Sequence, residues 1–264
     1  MLHVHDPACQ SRRWLDRRWP VQPDFCMVVP VRLDACGQIP EDSMRIPLAS
    51  YGLPEMAVGT VLCLGGGVLC VWHFPALVGL PAAIWVCLLL FFRDPERRCE
   101  CAPEALLSPA DGTVTDVEQV EAPAFLKGRC MRIGIFMSVL NVHVNRSPAA
   151  GVVKLVQYCP GRFRDARSGR AKAENEHNLV GLEMPGGQRI LINQIAGIIA
   201  RRIACGVCAG QHLARGQRIG MVKLGSRVEL YLALKDHPTV MVRVGARVQA
   251  GADVVAAYAH RPAA

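Results

Sequence analysis

Met131-Arg-Ile-Gly-Ile-Phe136 and Arg227-Val-Glu-Leu-Tyr-Leu232 decide the fold, because each alternates apolar with polar or small side chains at a period of two. That period sends successive side chains to opposite faces of an extended chain, as in a strand lying in a sheet. Val152–Tyr158, Arg189–Ile192, Val240–Val244 and Val254–Tyr258 are alternating or β-branched runs of similar length. Gly and Pro recur between them as turn signals. Residues 99–264 therefore read as one mainly β domain, α+β in class. Asn193–Ala204 fits the helical and the strand period equally imperfectly and is assigned to neither.

Upstream of Asp94-Pro95 the character of the chain changes. From Ala57 to Phe92 there is no Asp, Glu, Lys or Arg, and only His73 interrupts the apolar run. Such a length with basic flanks reads as a membrane segment in preference to a buried pair of core helices. Pro75 and Pro81 divide it into two arms, each about 25 Å long as a helix, marginal against a hydrocarbon core of about 30 Å. A hairpin and a single kinked span both meet that length. Arg45 on one flank and Arg93, Arg97 and Arg98 on the other place both ends on the cytoplasmic side, which favours a helical membrane hairpin. The expected organisation is an N-terminal extension (1–43), a membrane anchor (44–98) and the β domain (99–264). The extension carries Arg12, Arg13, Arg17 and Arg18 without apolar periodicity, and Met44 would make a natural start. The expected location is the cell (inner) membrane, with the β domain on its cytoplasmic face.

The net charge of +8 suits either a nucleic acid or an anionic lipid surface. Aromatic residues are few, and no zinc-finger spacing, RNP-like aromatic run or basic helix is present, so no nucleic-acid partner is expected. The basic stretch Arg162, Arg164, Arg167, Arg170 and Lys172 could meet anionic head groups or stand as a solvated loop. The twelve cysteines are scattered, several inside apolar runs, as buried free thiols would be. Cys205-Gly-Val-Cys208 is a lone CxxC without the second pair that a structural zinc site needs, so no metal is expected.

Three places carry residues able to do chemistry together: Asp111 in Ser108-Pro-Ala-Asp-Gly-Thr113, His143 in Asn141-Val-His-Val-Asn-Arg146, and Ser226 in Leu224-Gly-Ser-Arg227. Alone, each has a plain explanation as a turn, a core histidine or a loop. Together they match a nucleophile, a base and a group that orients the base.

Phe91-Phe-Arg-Asp-Pro-Glu-Arg97, Ser108-Pro-Ala-Asp-Gly112, Phe136-Met-Ser-Val-Leu-Asn-Val-His-Val-Asn-Arg-Ser-Pro148, Glu174-Asn-Glu-His-Asn178, Asn193-Gln-Ile-Ala-Gly197 and Leu224-Gly-Ser226 stand in this order along the chain. Their order and spacing resemble the short, membrane-anchored form of the phosphatidylserine decarboxylase family, from Met44 to about Tyr258. The chain departs from the family pattern at Val139, Asn141 and His177, while Asp111, His143 and Ser226 are intact.

The resemblance implies a proenzyme that cuts itself between Gly225 and Ser226. The Ser226 hydroxyl attacks the Gly225 carbonyl, His143 takes its proton and Asp111 orients His143, by the logic of a hydrolytic triad. A β chain ending at Gly225 and an α chain of 226–264 stay packed together, and Ser226 becomes a pyruvoyl group. That cofactor forms a Schiff base with the amine of phosphatidylserine and takes up electrons as CO2 leaves, giving phosphatidylethanolamine. His143, or less directly His177, returns the proton. Arg146, His177, Arg162 and Arg164 are candidates for substrate binding. The lipid tail and the oligomeric state, homo-oligomer included, are not legible.

Gly216-Gln-Arg-Ile-Gly220 and Gly245-Ala-Arg-Val-Gln-Ala-Gly-Ala-Asp253 look like turns of a lipoyl-type barrel-sandwich hybrid. They raise a rival reading, a membrane-tethered carrier or adaptor domain without catalysis, although no Lys stands at a suitable hairpin tip. A second rival is a membrane serine peptidase that uses Asp111, His143 and Ser226 on foreign chains.

Overall fold

Pro54 in the first turn and the apolar run behind it start a long helix, α1 (Leu53–His73), in the computed structural model of the chain, which describes residues 47–163, 174–197, 202–223 and 225–259. Its 21 residues span about 31 Å at 1.5 Å each. With the preceding turn, Ser50–His73 is long and apolar enough to cross a membrane. After a tight turn at Pro75–Leu77, α2 (Gly79–Phe91) has 13 residues, about 20 Å. The expectation of two similar, marginal arms is corrected: the first is long enough alone and the second is not. The cause is the early start at Leu53, upstream of the charge-free run, which admits Glu55 to the first turn.

The second helix runs back along the first. Trp85 Nε1 donates to Thr60 Oγ1 at 3.0 Å, and the Leu88 side chain fills the space beside Gly59. The feet of the pair are tied together, because the Ala49 amide donates to the Phe92 carbonyl at 2.7 Å and the Asp94 amide to the Pro47 carbonyl at 2.8 Å. Most of the outward surface is apolar and exposed, as at Leu62, Leu64, Leu69 and Trp72.

The described strands are β1 (Ala105–Leu107), β2 (Gly112–Glu121), β3 (Arg129–Phe136), β4 (Val144–Arg146), β5 (Gly151–Cys159), β6 (His177–Glu183) and β7 (Arg189–Ile195). They continue with β8 (Ile203–Cys205), β9 (His212–Leu213), β10 (Arg218–Val222), β11 (Arg227–Ala233), β12 (Thr239–Val240), β13 (Arg247–Val248) and β14 (Val254–Ala257). One eight-stranded antiparallel sheet has the order β13-β2-β3-β11-β7-β6-β5-β9, and two three-stranded sheets have the orders β1-β14-β12 and β4-β10-β8.

Most of the expected strands stand within a residue or two of their expected limits. The run Val240–Val244 does not: only Thr239–Val240 is strand, and after the Met241 amide bonds to the Val255 carbonyl the chain turns toward Gly245. The unassigned stretch divides, with Asn193–Ile195 ending β7 and Ile203–Ala204 opening β8, while 198–201 lie outside the described residues.

The interior of β11 explains why it is central. Val228, Leu230 and Leu232 join Val114, Ile133, Ile135, Ile190 and Ile192 in the main core. The opposite face, Arg227, Glu229 and Tyr231, is buried as well, because its polar atoms find partners within the sheet. Arg227 Nε donates to Glu229 Oε1 at 2.8 Å and its Nη2 to Asp116 Oδ2 at 2.5 Å, over a Gly134 that has no side chain to obstruct it. Tyr231 donates to Glu229 Oε2 at 2.5 Å, and burial next to that carboxylate pushes the Tyr231 phenol up. A buried charge so supplied with partners is tolerable where an unpaired one would not be.

Candidate active site

Ser226 is the residue before β11, fully buried. Gly225 precedes it with φ +67°, in the left-handed region that glycine enters without the penalty carried by other residues. The Ser226 carbonyl accepts from the Met137 amide at 2.9 Å, which fixes the junction against the end of β3. Its Oγ lies 3.5 Å from Met137 Sδ and 3.4 Å from the Val222 carbonyl oxygen. The hydroxyl thus has no strong acceptor of its own.

His143 stands just before β4, also fully buried. The turn before it is shaped by Asn141, whose Oδ1 accepts from the Ser138 amide at 2.9 Å and from Ser138 Oγ at 2.7 Å. His143 Nδ1 is 2.8 Å from the Asn141 carbonyl oxygen. A carbonyl can only accept, so Nδ1 carries the proton and Nε2 the lone pair. Nε2 is buried with no hydrogen-bond partner among the described residues. Burial pushes the imidazole down to about 4, the Asn141 carbonyl opposes this, and the Arg93 charge adds to it. His143 is therefore a neutral base with an unoccupied nitrogen. The Phe91 ring packs on it, centroids 4.5 Å apart.

Asp111 is engaged elsewhere. Arg97 holds both of its oxygens, through Nη1 to Oδ1 and Nη2 to Oδ2 at 2.8 Å, and the Ala250 amide donates to Oδ1 at 2.8 Å. The expected hydrogen bond from His143 to Asp111 is not made here, and neither residue hydrogen-bonds Ser226. The fold gathers the three residues around one loop system without closing a triad.

Arg146, expected as a candidate for substrate binding, is engaged within the fold. It is buried, donates from Nη2 to Asp94 Oδ1 and to the Pro95 carbonyl, both at 2.9 Å, and from Nη1 to the Gly216 carbonyl at 3.2 Å. Its charge is needed to balance Asp94, which Arg218 also contacts at 2.5 Å. His177 begins β6 with Nδ1 2.8 Å from the Asn175 carbonyl oxygen, and Arg162 forms an isolated bridge to Asn175. Arg164, Arg167, Arg170 and Lys172 lie outside the described residues, as do residues 1–43. Cys205 Sγ lies 3.6 Å from the Val207 carbonyl oxygen.

Sequence reasoning missed a buried polar chain behind Ser226. Gln194 donates to Asn145 at 2.8 Å, Asn178 donates to Gln194 at 3.0 Å, and Asn145 Nδ2 lies 3.8 Å from Met137 Sδ. All three sit in stretches singled out by motif, but adjacency in sequence assigns no partner across β4, β6 and β7. It also missed Arg97 and a cleft of about 480 Å³ lined by Arg93, Arg97, Asp111, Ser138, Asn141 and Arg247, among others.

Fold and site together define a β-sheet domain footed on apolar helices, with a buried Gly–Ser junction beside a neutral histidine. A family profile described as phosphatidylserine decarboxylase matches residues 86–256. The chain is 40% identical over 212 residues to the phosphatidylserine decarboxylase proenzyme of Paraburkholderia phytofirmans, covering 79% of this chain and 96% of that one. It is 44% identical over 187 residues to the proenzyme of Ralstonia nicotianae, covering 70% of this chain and 86% of that one. The proenzyme of Burkholderia cenocepacia is 39% identical over 212 residues, with 79% and 95% covered. The chain belongs to the phosphatidylserine decarboxylase family.

Proposed function

We propose that this chain is a carboxy-lyase that converts phosphatidylserine to phosphatidylethanolamine and CO2 after cutting itself between Gly225 and Ser226. The observation that carries the self-cleavage is the complete burial of Ser226 directly behind a glycine at positive φ. A peptidase acting on foreign chains needs its nucleophile open to them. A nucleophile sealed in this position has only its own chain within reach.

In the processing step the Ser226 oxygen bonds to the Gly225 carbonyl carbon as the peptide C–N bond breaks, an exchange of amide for ester. His143 Nε2 takes the hydroxyl proton and passes it toward the leaving nitrogen. A short approach of the histidine to Ser226, in place of the Met137 and Val222 contacts, brings the pair into reach. Elimination across Cα–Cβ then frees the Gly225 carboxylate, and hydrolysis releases ammonia. Asp111 contributes its charge to keeping a protonated His143 tolerable, shared with Arg97.

The surroundings of residue 226 fit a pyruvoyl group: the position is buried, its carbonyl is fixed by the Met137 amide, and among the described residues no charged side chain hydrogen-bonds its Oγ. Such a group supplies the electron sink that decarboxylation of an amino-acid head group requires. Met137 and the start of β11 would hold it, His143 would deliver a proton to the carbon that loses CO2, and the low-dielectric setting excludes water from that carbon. Cleavage frees the Gly225 end, which opens a way from the surface to position 226.

The same reading divides the chain into an anchor over 44–98 and a catalytic domain over 99–264, at the cytoplasmic face of the inner membrane, as a hairpin whose basic feet stay on one side. The tied feet at Ala49 and Phe92 support it. The turns Gly216–Gly220 and Gly245–Asp253 pass between the large sheet and the small ones, which supports a barrel-sandwich-hybrid-like closure. The test is conversion of vesicle phosphatidylserine by the purified chain. Stoichiometric CO2 and phosphatidylethanolamine from the wild type, and neither from Ser226→Ala, are expected. A fully cleaved wild type that forms no phosphatidylethanolamine contradicts the substrate.

A further inference from the structure

With Arg146 committed to Asp94, the lipid phosphate needs another partner, and the cleft beside His143 offers one. Arg93 is held by two neutral groups, donating to the Leu90 carbonyl at 2.6 Å and to the Leu140 carbonyl at 2.5 Å. Among the described residues no carboxylate pairs with it, so its charge stands uncompensated. Arg247, exposed on β13, likewise has no ion-pair partner among the described residues. Arg97 shares its charge with Asp111. The cleft is therefore a cationic site.

Its rim is apolar. Leu140 is 83% exposed and Val139 48%, although both belong to a turn braced by Asn141. The hydrogen bond from Arg93 to the Leu140 carbonyl sets this rim at the level where α2 ends. A ligand with an anionic head and apolar tails, lying at the surface that receives the helices, satisfies both features.

Distances agree. Arg247 is registered against Thr113, Thr113 against Phe136, and Phe136 against Arg227. Three inter-strand steps, about 14 Å in all, therefore separate Arg247 from the residue after Ser226. In a phosphoserine head group four bonds run from amine nitrogen to phosphorus, about 5 Å, and an extended arginine reaches about 7 Å from its Cα. With the amine at position 226, the phosphate falls within reach of the Arg247 guanidinium.

We propose that the cleft is the head-group subsite, in which Arg93 and Arg247 bind the phosphodiester while Val139 and Leu140 sit among the acyl chains. This rests on the decarboxylase reading for its substrate but not for its binding chemistry. The experiment titrates the purified full chain with dihexanoyl phosphatidylethanolamine below its micelle concentration, a product that cannot react and is not concentrated by a membrane. Binding by the parent, weakened about tenfold or more by Arg247→Glu and by Arg93→Gln, is expected for loss of a charge-assisted contact. Arg247→Glu is the decisive variant, because Arg247 is exposed and braces no other residue. No binding by the parent, or equal binding by parent and Arg247→Glu, overturns the proposal. If wild type turns over phosphatidylserine in that case, the decarboxylase reading survives. Arginine-dependent binding by a chain without turnover keeps the anion site and removes the decarboxylase.

Discussion

Burial decides what His143 is at neutral pH. An imidazole in water would be partly charged near 6.5, but this one is held down to about 4 and its free nitrogen stays available. On acidification the unfolded chain takes up this proton first, so stability is intact above about pH 6.5 and falls by about 3 kcal/mol on the way to pH 4. In an uncut Ser226→Ala background, His143→Gln should flatten that loss, read as the difference in thermal midpoint between pH 7 and pH 4.5. The same shift keeps the base unprotonated in mild acid. Self-cleavage should therefore hold its rate down to about pH 5 in a stopped time course, and a midpoint near 6.5 would point to a different base.

Ser226, Gly225 and His143 stood out in the sequence only because their motifs stood in register with a family pattern, since each alone has a plain explanation. Arg97 and Arg93 were read only as basic flanks of the apolar segment. Their partners, Asp111 and the Leu140 carbonyl, are set by how the anchor's foot folds against the β2 and β4 loops, and no local periodicity encodes that. The partner of Arg146 was hidden for the same reason, since its neighbour in sequence is a catalytic candidate and its neighbour in space is Asp94.

Among the elements, β11 carries most consequence. It begins one residue after the proposed cleavage junction and pairs with β3 from Arg227 to Ala233 and with β7 from Arg227 to Leu232. A cut between Gly225 and Ser226 leaves this ladder whole, and the Arg227 clamp on Asp116 and Glu229 holds the start of the strand. The two chains should co-elute in native size exclusion and separate only in denaturant; loss of the small chain under native conditions would contradict this arrangement. The period-two reading found the strand, but it gave Arg227 and Glu229 no partners. Their burial depends on Asp116 and Thr115 of β2 and on Tyr231, pairings that alternation alone does not specify.

For the molecule as a whole, the apolar helix pair and the site are one assembly. Ala49, Met56 and Phe92 at the foot of the helices pack with Val142, Val144 and Met221 around His143, and Lys223 pairs with Glu55 of α1 two residues before Gly225. In the proposed arrangement, a site built onto the base of two apolar helices stands at the membrane surface where the lipid lies. Leu64→Arg, on an exposed face of α1, adds a cost of about 2.5–3.5 kcal/mol to insertion. It should shift the protein from the membrane pellet toward the supernatant while leaving self-cleavage intact, and unchanged sedimentation would contradict membrane insertion of this helix.

Processing and catalysis both depend on the junction at Gly225–Ser226, so the intact mass of the purified protein tests the proposed function most directly. Two chains are predicted, the smaller comprising residues 226–264 and lighter by one ammonia than the same peptide starting with serine, with Ser226→Ala left whole. A folded wild-type protein that remains a single uncut chain would contradict it.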